Sequence, residues 1–134
     1  MQDILKTKDL FDIMIEQERA ALLFGFYWEN LEQLLEQIKS ECLEVKEAHQ
    51  NQNRNHLKEE VGDLINATIS LSIFLGFDPY KTLNESVHKF QNRYDALVKI
   101  VQKDGLQNLK NKSVQESLSY WDKAKEICKQ YPSL

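Results

Sequence analysis

Apolar residues recur every three or four positions along most of the chain, which is the spacing of one helix face. The clearest run predicts a helix over residues 31–49, whose apolar positions are Leu31, Leu34, Leu35, Ile38, Cys42 and Val45. Similar runs predict helices at about residues 8–23, 56–75, 79–103 and 114–129. The pattern therefore predicts an all-α chain, a helical bundle of four to five helices.

Turn and cap residues support these boundaries. Gly25 and Gly76 follow two of the apolar runs, where a helix commonly ends in the left-handed conformation. Pro79 comes directly after an aspartate and suits the first position of the next helix. Ser113 and Glu116 have the spacing of a capping box, which predicts the start of the last helix.

Length and composition predict one soluble domain that covers residues 1–134. Hydrophobic residues make up 42% of the chain and charged residues 28%, as in ordinary globular proteins. Only 4 Gly and 2 Pro are present, which leaves few tight turns for an all-β fold. The net charge of -4 argues against a nucleic-acid-binding surface, which is normally basic.

Cysteine usage and hydropathy predict a cytoplasmic protein that does not enter a membrane. Cys42 and Cys128 each fall inside a predicted helix, as expected of free thiols in a reducing compartment. The first ten residues mix aspartate and lysine and do not resemble a signal peptide. The longest apolar-leaning segment, residues 64–77, is too short for a bilayer span and contains four polar residues.

The third predicted helix is apolar on more than one side. Ile65, Ile69, Ile73 and Phe74 widen its apolar surface beyond a single stripe. A helix of this kind must be covered on most sides, and a chain this small has little else to cover it. We therefore predict that the core is completed by homo-oligomerisation, as a homodimer or homotetramer.

Four carboxylates lie beside the packing seam of the second and third helices. At about 100° per residue, Glu41 falls roughly 60–70° from the centre of its apolar stripe, with Glu44 on the same side. Glu60 and Asp63 flank the stripe of the third helix in the same way. A short polar loop makes these helices antiparallel neighbours. Such a cluster suits a hard divalent cation, Mg²⁺ above all, while surface ion pairs with nearby lysines are the alternative.

A basic pair occupies the fourth helix. Lys89 and Arg93 are four residues apart, so they share one face and border its apolar stripe. Arginine offers a bidentate fork to phosphate oxygens and lysine a mobile charge, so the pair suits a polyanion. A salt bridge to the carboxylates of the neighbouring helices is the alternative use of the same residues.

Taken together, these segments resemble one family. They are Gly25-Phe26-Tyr27-Trp28, Glu41-x-x-Glu44, Leu57-Lys58-Glu59-Glu60-Val61-Gly62-Asp63-Leu64, Lys89-Phe90-x-x-Arg93-Tyr94 and Trp121-x-x-Ala124-Lys125. In order and spacing the chain resembles the MazG-type nucleoside triphosphate pyrophosphohydrolases of the all-α NTP pyrophosphatase superfamily, over residues 20–125.

The resemblance implies an enzyme that splits a nucleoside triphosphate between its α and β phosphates, giving a monophosphate and pyrophosphate. It implies that Glu41, Glu44, Glu60 and Asp63 hold Mg²⁺, and that the Glu41–Glu44 pair supplies the catalytic base. It further implies that Lys89 and Arg93 neutralise the triphosphate, that Trp121 stacks on the base, and that Lys125 lies nearby as a phosphate or carboxylate partner. The biological role implied is clearance of unwanted nucleotides.

One departure concerns the basic segment, where His88 stands in place of the asparagine common in the family. That difference bears on substrate preference more than on activity. The alternative function is a non-catalytic helical protein-interaction module on the same scaffold, which would have no reason to retain four carboxylates beside the core.

Overall fold

The computed structural model describes residues 9–131. Those residues form five helices and no strand: α1 Leu10–Phe24, α2 Leu31–Gln50, α3 Arg54–Phe74, α4 Pro79–Lys103 and α5 Val114–Gln130. The all-α prediction is confirmed, and every described helix end lies within two residues of its predicted position. The predicted start of the first helix, Lys8, lies outside the described residues. No single helix in residues 9–131 has both the length and the hydropathy to cross a bilayer.

Local hydrogen bonds explain why the helices begin and end where they do. The side chain of Asn30 accepts a hydrogen bond from the backbone N–H of Gln33 at 2.9 Å, which caps α2. Ser113 and Glu116 form the predicted capping box, with the Glu116 N–H 3.1 Å from the Ser113 hydroxyl. Gly25 ends α1 at a φ of 98°, a left-handed conformation that favours glycine.

The chain forms two compact units that divide between Thr82 and Leu83, inside the first turns of α4. In the first unit, α2 and α3 are joined by only three residues and pack side by side as an antiparallel pair, and α1 packs on α3. The acidic residues of α2 and α3 therefore come from facing helices. That the whole chain makes a single domain stays a prediction.

Few large side chains are buried. Leu34 of α2 is the largest fully buried one among the described residues, and Ala48, Pro79, Val101 and Ala124 are also buried there. Large apolar side chains remain widely exposed, including Ile65 at 54%. Where exposed apolar side chains of this kind form one patch, the patch commonly marks an interaction site. Homo-oligomerisation itself stays a prediction.

Candidate functional site

Three of the four predicted carboxylates converge between α2 and α3. One carboxylate oxygen from each of Glu41, Glu60 and Asp63 lies within 4.8 Å of the other two. Oxygens bound to one hard divalent ion at 2.0–2.6 Å lie up to about 4–5 Å apart, across the ligand shell. The spacing therefore fits a shared cation with little movement of the side chains.

Two carboxylate oxygens of this cluster are buried and lack a hydrogen-bond partner among the described residues, namely Oε2 of Glu41 and Oε2 of Glu60. The Glu60 side chain is only 13% exposed. Leaving a buried carboxylate oxygen unpaired costs several times the free energy of an ordinary hydrogen bond, so native proteins seldom do it without a ligand. The pair of orphaned oxygens is the strongest sign that a cation belongs here.

The pKa of Glu41 is raised above its usual range. Desolvation by burial is the main cause, followed by a hydrogen bond with the Glu44 carboxyl group and repulsion from Glu44 and Asp63. The amide of Gln37 acts in the opposite direction, since its Nε2 donates to Glu41 Oε1 at 2.8 Å. Like charges crowded in this way are relieved by a proton or by a bound cation.

Glu44 lies at the edge of this cluster. It is exposed and does not belong to the group of three converging oxygens, although it is close enough to raise the pKa of Glu41. The Nε2 atom of His56 lies 3.7 Å from Glu60 Oε1, beyond hydrogen-bonding distance. The sequence interpretation missed the role of Gln37, although its position four residues before Glu41 was a usable signal.

A small cavity of about 220 Å³ opens beside the carboxylates in the first unit. Glu41 and Asp63 line one part of it, and Trp28, Asn66 and Ser70 line another. The acidic cluster is therefore accessible to a ligand through this cavity. The rest of the cavity wall includes the Trp28 ring and the neutral polar side chains of Asn66 and Ser70.

In the second unit, Lys89, Arg93 and Lys125 line one groove of about 850 Å³. Within that unit neither Lys89 nor Arg93 forms an ion pair with a described carboxylate, whereas Lys125 Nζ lies 3.3 Å from Asp122. Lys129 and three carboxylates, Glu85, Asp122 and Glu126, line the same groove, so four cations face three acidic groups. Because Lys89 and Arg93 form no ion pair with these carboxylates, their charges remain available to an anion.

His88 also lines this groove, and its Nδ1 lies 2.8 Å from the backbone carbonyl of Asn84. Because a carbonyl oxygen only accepts, Nδ1 carries the hydrogen and the Nε2 of the neutral ring is left as an acceptor. The ring is thus tied to its own helix. Trp121 does not line the groove; it is half-buried and lies with its ring centroid 5.5 Å from that of Phe90.

The chain matches one known protein family over the segment that contains the acidic cluster. A family model described as the MazG nucleotide pyrophosphohydrolase domain matches residues 29–98, which is more than half of the chain. The chain belongs to the MazG family. The MazG match contains the carboxylates of α2 and α3 together with Lys89 and Arg93, and it ends before Trp121 and Lys125.

Two curated relatives are similar over most of this chain. It is 37% identical over 109 residues to the nucleoside triphosphate pyrophosphohydrolase/pyrophosphatase MazG of Thermotoga maritima, which covers 81% of this chain and 41% of that protein. It is 34% identical over 93 residues to a nucleoside triphosphate pyrophosphohydrolase of Escherichia coli strain K12, and this match covers 68% of this chain and 35% of that protein. The chain spans about two fifths or less of the length of these relatives. The predicted family is confirmed.

Proposed function

We propose that this chain is a Mg²⁺-dependent nucleoside triphosphate pyrophosphohydrolase that cleaves between the α and β phosphates and releases a monophosphate and pyrophosphate. The observation that supports this most is the pair of buried, unpartnered oxygens on Glu41 and Glu60, two residues whose carboxylates converge with that of Asp63. Both curated relatives bear names of nucleoside triphosphate pyrophosphohydrolases.

The donor set of the acidic cluster fits magnesium. Glu41, Glu60 and Asp63 offer only hard carboxylate oxygens, and Glu44 is near enough to complete the set, directly or through water. Bound there, Mg²⁺ would draw charge from the phosphate oxygens and make a nearby water easier to deprotonate. The cluster would also be stabilised, because the repulsion that raises the pKa of Glu41 would be relieved.

The Glu41–Glu44 pair supplies the base in this proposal. Glu44 is exposed and stands outside the three converging oxygens, so its carboxylate is the one least committed to holding a cation. A carboxylate in that position can accept the proton of a water molecule as the water attacks phosphorus. Glu41, hydrogen-bonded to Gln37, would then be held in place as a ligand.

Lys89, Arg93 and Lys125 bind the triphosphate in this proposal. Their shared groove in the second unit offers a bidentate guanidinium fork and two mobile ammonium groups. Charge neutralisation of this kind assists a phosphoryl reaction chiefly by positioning the phosphate groups and stabilising the developing charge. Stacking of the base on Trp121 stays a prediction, and one side of that ring lies against Phe90.

We further propose that the chain works as a homodimer or homotetramer. Val61 and Ile65 lie four residues apart on α3 and are 39% and 54% exposed. Full burial of an exposed aliphatic side chain contributes about 1.5–3 kcal/mol, so covering these half-exposed ones would stabilise an assembly by about 0.6–1.6 kcal/mol each. Nucleotide-pool clearance in the cytoplasm is the role that fits this activity.

The test is a panel of ribo- and deoxynucleoside triphosphates with Mg²⁺, with pyrophosphate and orthophosphate measured separately. We expect pyrophosphate and a nucleoside monophosphate in equal amounts, and loss of both in Glu60→Gln. Glu47→Gln, an exposed change on α2, is the matched control and should retain activity. Orthophosphate as the product, or no turnover by the folded protein, would overturn the proposal and favour the non-catalytic interaction module.

A further inference from the structure

A second and larger cavity lies next to the acidic site. Its volume is about 640 Å³, and it is bounded by α1, by the segment after Gly25 and by α3. Phe26, Tyr27 and Trp28 form an aromatic wall, and all three side chains are at least 41% exposed. The left-handed turn at Gly25 places this aromatic segment beside the helices instead of continuing α1.

The large cavity shares part of its wall with the small one beside the carboxylates. Trp28 and Asn66 line both cavities. A hydrogen bond also links their walls, since the hydroxyl of Ser70, in the small cavity, donates to Glu18 Oε1, in the large one, at 2.5 Å. A ligand whose phosphates reach the acidic cluster would therefore have room for the rest of its structure on the Trp28 side.

Glu18 is the one carboxylate among the described residues that line the large cavity, whose other polar lining residues are Gln17, Arg19 and Asn66. It is half-buried, and the Ser70 hydroxyl sets its orientation. No hydrogen bond from a described residue reaches its second oxygen, Oε2. An ionised carboxylate accepts hydrogen bonds and cannot donate them, so this oxygen distinguishes N–H donors from carbonyl groups.

We propose that this cavity takes the nucleobase of the substrate and that Glu18 selects bases that present N–H donors. The inference rests on the proposed hydrolysis at the adjoining carboxylates. Aromatic side chains bind the face of any base, and each stacked base contributes about 1–3 kcal/mol. In this proposal the edge of the base decides the preference, because Glu18 would meet the edge of the stacked base and not its face.

Guanine is the base that this arrangement favours most. It presents two adjacent donors, the ring N–H and the amino group, to a single carboxylate. Adenine and cytosine offer an amino group beside a ring acceptor, and uracil and thymine offer one N–H between two carbonyl oxygens that the carboxylate repels. A site rejects a base that leaves one of its buried polar groups unpaired, so kcat/KM should be highest for guanine nucleotides and lowest for uracil nucleotides.

The first test compares kcat/KM for GTP and UTP in the wild type, Glu18→Gln and Glu16→Gln. Glu18→Gln keeps the volume and the acceptor for Ser70, so the fold should persist, which circular dichroism will show. We expect the GTP-to-UTP ratio to fall roughly tenfold or more, as for loss of a hydrogen bond to a charged group. Glu16 is exposed on the same helix but does not line the cavity, so Glu16→Gln should leave the ratio unchanged. An unchanged ratio in Glu18→Gln, or an equal loss for both substrates, would overturn the inference.

The second test does not depend on turnover. The chain contains two tryptophans, so Trp121→Phe leaves Trp28 as the sole reporter and Trp28→Phe leaves Trp121. Titration with GMP in the absence of metal should quench Trp28 fluorescence, more strongly than UMP does, and adding Glu18→Gln should remove that difference. Quenching of Trp121 alone would place the base there and refute the cavity assignment. Quenching of Trp28 without pyrophosphate release would retain the base site and refute the proposed hydrolysis.

Discussion

Magnesium should raise the stability of this protein, and one substitution should remove that effect. Without metal, Glu41, Glu60 and Asp63 hold their carboxylate oxygens within 4.8 Å of one another, so the native state contains unrelieved like-charge repulsion. A ligand that binds only the native state stabilises it by RT ln(1 + [L]/Kd), which is about 2.7 kcal/mol at a hundred times Kd. For a domain of this size that corresponds to a rise in Tm of about 10 °C.

Glu60→Gln separates this explanation from a general salt effect. The substitution keeps the volume of the side chain but removes one ligand charge and one source of repulsion. The metal-free variant should therefore be at least as stable as the metal-free wild type, while its response to Mg²⁺ should be small. The assay is thermal unfolding followed by circular dichroism in EDTA and in a series of Mg²⁺ concentrations at fixed ionic strength.

The control is a carboxylate on the same helix as Glu41 that lies outside the acidic cluster. Glu47→Gln removes a charge from an exposed position on α2 that does not belong to the converging group, so its magnesium response should equal that of the wild type. Equal Mg²⁺ shifts in Glu60→Gln and the wild type would show that the three carboxylates do not share a cation, and the reasoning from their spacing would be wrong.

Three further predictions concern other parts of the molecule. The folded-state pKa of Glu41 is raised, so the stability linked to that group is fully present below its ordinary pKa of 4.5 and is lost as the pH rises through the raised pKa. Urea unfolding of the wild type in EDTA should show this loss of unfolding free energy. The Glu41→Gln variant should not show it. Arg93→Lys should lower kcat/KM for triphosphates roughly tenfold, since lysine lacks the bidentate fork, with the helical signal unchanged; an unaltered kcat/KM would remove Arg93 from the site. Ile65→Asp should dissociate the assembly in analytical ultracentrifugation, whereas Ile65→Leu should not; a monomeric wild type would contradict the oligomer proposal.

The helices could be predicted from the sequence because their signals are local. Pro79 and the Asp104–Gly105 pair bracket α4, and the prediction of residues 79–103 agrees with the structure. The angular positions of Glu41 and Glu60 beside their apolar stripes also predicted that they would meet, since a three-residue loop favours antiparallel packing of the two helices.

The remaining features depend on tertiary structure and had no local signal. Glu44 has the same spacing motif as its neighbours but stays exposed at the edge of the cluster, which angular position on a helix does not resolve. Glu18 and Ser70 are 52 residues apart, so no periodic pattern links them. The direction of the chain after Gly25 decides where the aromatic segment lies, and that direction depends on packing against α3.

Few large side chains are buried among residues 9–131, with Leu34 as the largest, and in the proposed homo-oligomer this has a consequence for how the protein behaves on dilution. Apolar burial supplied by other copies obeys mass action, so the melting temperature of such an assembly should increase with protein concentration. At nanomolar concentration a larger fraction of the protein would then be dissociated and less stable than at micromolar concentration. Specific activity should therefore decline on dilution.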